Sequence, residues 1–124
     1  MESTLKEEIE DRFKQIIESI DVIQHRCADK KDVEELLSTP WGMTVLDACV
    51  MRLQVIGETV KAIDDRTGKQ LLASHPEIPW RKIVGLRNII SHEYANIDDE
   101  IIWLTIQTSL PQLKKTILKI LKVI

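Results

Sequence analysis

The sequence predicts an all-α protein, an up-and-down bundle of four long helices with one or two short extra helices, in one domain covering residues 1–124. Three observations carry this. Apolar residues recur at steps of three and four over long stretches. Glycine and proline number only four each. Aromatic residues make up 4% of the chain, too few for a structure built on strands.

The elements follow in order. Thr4 to Glu7 has the form of a capping box, in which hydroxyl and carboxylate each reach a free amide of the first turn. Behind it Leu5, Ile9, Phe13, Ile16, Ile20, Ile23 and Cys27 make one apolar stripe on a long first helix. The charged segment ADKKDVEELL predicts a short helix ahead of Ser38-Thr39-Pro40, where Thr39 caps the next helix and Pro40 is its first residue. That second long helix runs from Trp41 to about Asp65, with Leu46, Leu53, Val60 and Ile63 inward and Gly57-Glu58 within it. Gly68 ends it, and residues 69–75 predict a further short helical turn. The segment HPEIP reads as extended, because prolines at 76 and 79 bias their predecessors away from helix. Pro79 then opens a third long helix. Asn96 to Glu100 is a turn and cap, and the last helix carries Ile102, Ile106, Leu110, Leu113, Ile117, Ile120 and Ile124 inward. Pro111 predicts a kink in it. Its acidic start and its Lys114, Lys115, Lys119 and Lys122 suit the helix dipole.

Composition limits the function classes. The net charge is −3, which argues against broad nucleic-acid binding yet leaves room for a small cationic cleft. Cys27 and Cys49 lack metal-type spacing and read as small apolar residues in a reducing compartment. His25, His75 and His92 are scattered, so no metal site and no cofactor is expected. The acidic N-terminus MESTLKEEIE is unlike a signal peptide, and no apolar run approaches the ~18 residues of a membrane span. The expectation is a cytoplasmic protein.

One octet departs from this plain pattern. Residues 87–94 read RNIISHEY. On a helix turning about 100° per residue, Trp80, Ile83, Val84, Ile90 and Tyr94 share one arc, with Arg87 inside it. Arg81, Gly85, Asn88 and His92 form a second, polar stripe, low at Gly85, where a second copy of the helix or a phosphodiester backbone has room to approach. Arg87 and His92 are five apart, about 140° around a regular helix. They share a site only if the helix loosens near His92, the long arginine wraps round, or two subunits combine. A purely structural reading has Arg87 paired with a carboxylate such as Glu58, and His92 idle on the surface.

Arginine, four residues, histidine, one residue, tyrosine resembles the signature of the HepT-type toxins of the HEPN superfamily. The flanks IGETVKAI at 56–63, HPEIPWRKIVGLRN at 75–88, SHEY at 91–94 and LPQLKK at 110–115 extend the resemblance over residues 41–124. It implies a HEPN-like bundle, a homodimer with the motif helices facing each other across a cleft, and metal-independent endoribonuclease activity. It also implies a toxin–antitoxin pair, with a minimal nucleotidyltransferase antitoxin that adenylylates the motif tyrosine. Carried over by position, Arg87 and His92 are catalytic, Asn88 is the polar residue beside them, and Tyr94 is the modification target. Arg81 and Lys82 are candidate RNA-binding residues on the same helix.

The chemistry suits these residue types. RNA supplies its own nucleophile, the 2′-hydroxyl, so histidine acts as the proton carrier and a guanidinium clamps the phosphate. The alternative is a non-catalytic HEPN subunit that binds or presents substrate to a nucleotidyltransferase.

Overall fold

A computed structural model gives the fold of residues 1–96 and 98–124, with the side chains of residues 89–94 outside the description. The elements are α1 (Ser3–Cys27), α2 (Val33–Leu37), α3 (Pro40–Arg66), α4 (Trp80–Glu93), α5 (Asp99–Leu104) and α6 (Leu110–Val123). A π-helical segment, Thr105–Ser109, joins α5 to α6, and single 3-10 turns occupy Leu72–Ser74 and Tyr94–Asn96. Among the described residues there is no strand. The four long units are therefore α1, α3, α4 and the composite α5–π–α6, as the apolar stripes predict.

Local signals explain most helix ends. Thr39 Oγ1 accepts from Gly42 N–H at 2.9 Å ahead of Pro40, and Asp98 Oδ1 accepts from Glu100 N–H at 2.9 Å. Gly68 takes φ 62° just past α3, the left-handed conformation that closes a helix. The start of α1 differs from expectation. Glu2 caps it, its carboxylate accepting from Thr4 N–H at 2.6 Å and Leu5 N–H at 3.2 Å. A charged acceptor at the dipole's positive end displaces the Thr4–Glu7 box, and these backbone bonds, Thr4's first, hold the Glu2 carboxyl below its usual range.

Packing pairs α1 with α3, α3 with α4, and α1 with α6, while α2 lies against α3 and α5. Helices α1 and α3 are antiparallel: Arg66 meets Glu8 at 2.7 Å, Arg52 reaches Ser19 at 3.5 Å, and Cys27 Sγ stands 3.9 Å from Cys49 Sγ. The α1 stripe is buried from Ile9 through Cys27, and the α5–α6 stripe from Ile102 through Ile120. Leu5 and Ile124, at the outer ends, are only partly buried. Pro111 has no amide to give to the helix. The ladder relaxes immediately before it, with Leu110 N–H bonding Thr105 O across the π segment.

Helices α3 and α4 approach closely because residue 57 has no side chain. A Cβ on Gly57 would stand 2.9 Å from Ile83 O and 3.2 Å from Arg87 N. A Cβ on Gly85, the glycine singled out by its place in the motif helix, would meet nothing within 4 Å. The packing role within the chain thus falls to Gly57.

These two glycines give opposite expectations. Gly57→Ala forces α4 off α3 and costs about 2 kcal/mol, by the cost of overpacking. Gly85→Ala in a lone protomer gains up to about 1 kcal/mol of helix propensity. Chemical denaturation of both variants reads the difference, and equal midpoints would contradict the close approach at Gly57.

Candidate functional site on helix α4

The foot of α4 is built by the segment that enters it. HPEIP forms a tight turn rather than the extended segment expected, Ile78 N–H donating to His75 O at 3.4 Å. Proline at the second position of such a turn is already set at the required φ. The turn buries Ile78 and is closed by Trp80 Nε1–H, which donates to His75 O at 2.9 Å. Pro79 O accepts from Lys82 N–H at 2.9 Å and Ile83 N–H at 3.2 Å, so Pro79 stands just outside the helix that Trp80 begins.

Two turns on, Arg87 lies where the arc analysis puts it. Ile83 is buried, Trp80 and Val84 are partly buried, and Arg87 is half-buried. The base of its side chain sits 3.5 Å from the position a Cβ would take on Gly57. Its Nε is buried with no hydrogen-bond partner. The pairing with Glu58 is absent: Glu58 is exposed, and among the described residues no ion pair holds Arg87. A buried donor left unsatisfied costs roughly 1–3 kcal/mol, more when charged. Arg12 Nε is also buried without a hydrogen bond, yet Glu8 stands 3.9 Å from it. Among the described residues Arg87 has no such counter-charge, and its guanidinium matches the planar, bidentate demands of a phosphate or carboxylate.

The second stripe faces solvent. Arg81, Lys82 and Asn88 are exposed, and a Cβ on Gly85, between Arg81 and Asn88, would meet nothing within 4 Å among the described residues. The side chains of His92 and Tyr94 lie outside the described residues. The backbone at both is defined: α-helix continues through Glu93, and Tyr94 opens the 3-10 turn. The helix therefore does not loosen at His92, and the separation of about 140° from Arg87 stands. What remains is a wrapped arginine or a site shared by two subunits. Beyond the turn, Ala95 and Asp99 border a recess of about 300 Å³ with Leu37, Met43 and Asp47.

Gly57 is the residue that sequence reasoning passed over. Its signal was present, a glycine beside Ile56 and ahead of Val60 on the inward side of α3, but Gly85 drew attention because it sits inside the motif helix. A second feature is tertiary. Lys119 Nζ meets Glu77 Oε2 at 3.5 Å, tying α6 to the foot of α4. Among the described residues no three His, Cys, Asp or Glu side chains come together as a metal site, and no helix is long and apolar enough to cross a membrane.

Comparison with known proteins places this geometry in a family. The ribonuclease HepT-like family matches residues 13–120. A protein of Caldanaerobacter subterraneus subsp. tengcongensis, provisionally named an RNase, is 37% identical over 75 residues, 60% of this chain and 63% of its own length. One from Methanocaldococcus jannaschii, named in the same way, is 32% identical over 91 residues, 73% of this chain and 72% of its own. A Thermococcus cleftensis protein provisionally named ribonuclease HepT is 37% identical over 67 residues, 54% of this chain and 57% of its own. The chain thus spans a little under two thirds of several of these relatives. No solved structure matches it. An all-α bundle carrying the RNIISHEY helix, matched over most of its length, belongs to the ribonuclease HepT-like family.

Proposed function

We propose that this protein is the toxin of a toxin–antitoxin pair, an endoribonuclease that works without a metal ion. The observation that carries the reading is Arg87: a half-buried guanidinium held against α3, with a buried Nε and, among the described residues, no carboxylate paired with it. A purely structural arginine at that depth wants a counter-charge from its own chain. A phosphate in the cleft supplies one from outside.

In this mechanism His92 takes the proton of the ribose 2′-hydroxyl as the 2′-oxygen attacks phosphorus. The P–O5′ bond breaks, the 5′-oxygen collects a proton from a second acid, and a 2′,3′-cyclic phosphate remains. Arg87 stabilises the charge that gathers on the phosphoryl oxygens. Asn88, exposed one turn before His92, orients the imidazole or donates to phosphate. Arg81 and Lys82 hold the flanking backbone. A spacing of five along a regular helix, from Arg87 to His92, favours a cleft shared by two protomers, one histidine acting as base and its symmetry mate as acid. The open surface at Gly85 leaves room for a second motif helix. Adenylylation of Tyr94 by a nucleotidyltransferase antitoxin would put a phosphate beside Arg87 and shut the cleft by repulsion of the substrate backbone.

Three outcomes test the reading. His92→Ala abolishes RNA cleavage, at least 10²-fold, with an unchanged far-UV spectrum and thermal midpoint; full activity in that variant refutes the mechanism. Arg87→Met also abolishes cleavage yet keeps or gains stability, about 1 kcal/mol, because it removes a buried donor with no partner. A denaturation midpoint that falls sharply would show that Arg87 is structural. Cleavage persists in EDTA, and mass spectrometry after co-expression with the antitoxin finds AMP on Tyr94. Loss of activity in the chelator, restored by a divalent ion, overturns metal independence, and AMP confined to other residues overturns the control.

A further inference from the structure

The foot of α4 and the neighbouring face of α6 carry exposed cations that the net charge conceals. On α1 and α3 some cations sit in ion pairs, such as Arg66 with Glu8 at 2.7 Å and Lys61 with Asp65 at 2.7 Å, while Lys14, Arg26 and Arg52 hold none among the described residues. Arg81 and Lys82 on the first turn of α4, and Lys115 and Lys122 on α6, are exposed and hold no ion pair among the described residues. At the other end of α4 the sign reverses. Asp98, Asp99 and Glu100 start α5 beside Glu34 of α2, and none of the four is ion-paired among the described residues. Glu34's charge, first among the causes, pushes the Glu100 carboxyl above its usual range, the mark of like charges facing one another. A polyanion lying on α4 is repelled at the α5 end and attracted at the foot.

The foot leads onto α6. Lys119 meets Glu77 at 3.5 Å there, and Glu77 and Ile78 border a shallow recess of about 960 Å³ with Lys115, Leu118 and Lys122. Lys115 and Lys122 are seven residues apart, so they stand on nearly one line of the helix, about 10 Å apart along its axis. Leu118 lies between them and is 44% exposed, an apolar surface for a base to rest on.

We infer that single-stranded RNA, beyond the phosphate held at Arg87, runs along α4 past Arg81 and Lys82 and is gripped on α6 by Lys115 and Lys122. This rests on the nuclease reading and gives its substrate a direction: the strand leaves toward the foot of α4, away from the acidic α2–α5 end. His92 and Trp80 are about 18 Å apart along the axis at 1.5 Å per residue. The α6 contact therefore serves long substrates and not short ones. Lys115 and Lys122 are positioning residues that touch neither reacting atom. An acidic protein segment is the other occupant the lysines suit, and the experiment separates the two.

The test pairs wild type with Lys115→Gln/Lys122→Gln, two exposed positions. Binding of a 20-nucleotide 2′-O-methyl RNA, which cannot be cleaved, is followed by fluorescence anisotropy against KCl concentration. For single strands each phosphate neutralised contributes about 0.7 to the slope of log affinity against log salt. The double variant is expected to lower that slope by about 1.4, to bind on the order of tenfold more weakly at low salt, and to raise KM for long RNA with kcat unchanged. A dinucleotide substrate, too short to reach α6, should be cut equally by both proteins. An unchanged slope in a protein that still cleaves RNA overturns the α6 path and leaves the nuclease reading intact. So does weakened binding of poly-glutamate with RNA binding unaltered, which assigns the lysines to an acidic protein. A wild type that neither binds nor cleaves RNA overturns both.

Discussion

The close contact between α3 and α4 at Gly57 is the constraint on which the rest of the site depends. One missing Cβ lets the backbone of Ile83 and Arg87 lie against α3. That contact sets the depth of Arg87, places its Nε out of water, and turns Arg81 and Asn88 outward on the opposite stripe. A side chain at residue 57 would lift α4 and hydrate the guanidinium, and a half-buried cation with no ion pair among the described residues would become an ordinary surface arginine. The setting of Arg87 is thus a product of backbone proximity first and of the motif residues second.

Around that contact the bundle supplies rigidity where the site needs it. The foot of α4 is held by the His75–Ile78 turn, by the buried Ile78 and by Trp80's bond to His75 O. The antiparallel α1–α3 pair forms the base on which α4 rests, with exposed ion pairs such as Arg66–Glu8 that solvent screening leaves of little weight. Most of the stabilisation comes from the isoleucine-rich stripes of α1 and α6, which are shielded from solvent almost throughout.

Much of this was legible in the residues, and the reason is periodicity. The stripe from Ile9 to Cys27 predicts α1, and Thr39-Pro40 and Asp98 predict the starts of α3 and α5, because caps and apolar spacing are local signals. The half-buried position of Arg87 and the exposed one of Asn88 follow from helical angles alone. Where sequence reasoning failed, the decision was tertiary or a competition between neighbours. Glu2 outbid Thr4 as the cap of α1, by charge. Two glycines inside helices looked alike on paper, and only the packing of α3 on α4 distinguishes Gly57 from Gly85. The standoff of Glu34 and Glu100 joins residues far apart in the chain. His92 and Tyr94, central to the motif, lie outside the residues whose side chains are described.

The π segment at Thr105–Ser109 bears on the register of everything after it. The inward residues Ile102, Ile106 and Leu110 are spaced by two consecutive fours and then return to threes and fours at Leu113, Ile117 and Ile120. One extra residue is accommodated there as a wider turn, with no break in the rod. The segment works as a phase adjuster. Removing one residue between 105 and 109 would let the wide turn close to a regular one, with Ile102 and Ile117 still on the same inward face. The same deletion between Leu113 and Ile117 has no wide turn to absorb it and would rotate the rest of α6 by about 100°. A change of length is therefore absorbed at this point of a continuous helix, and not on either side of it.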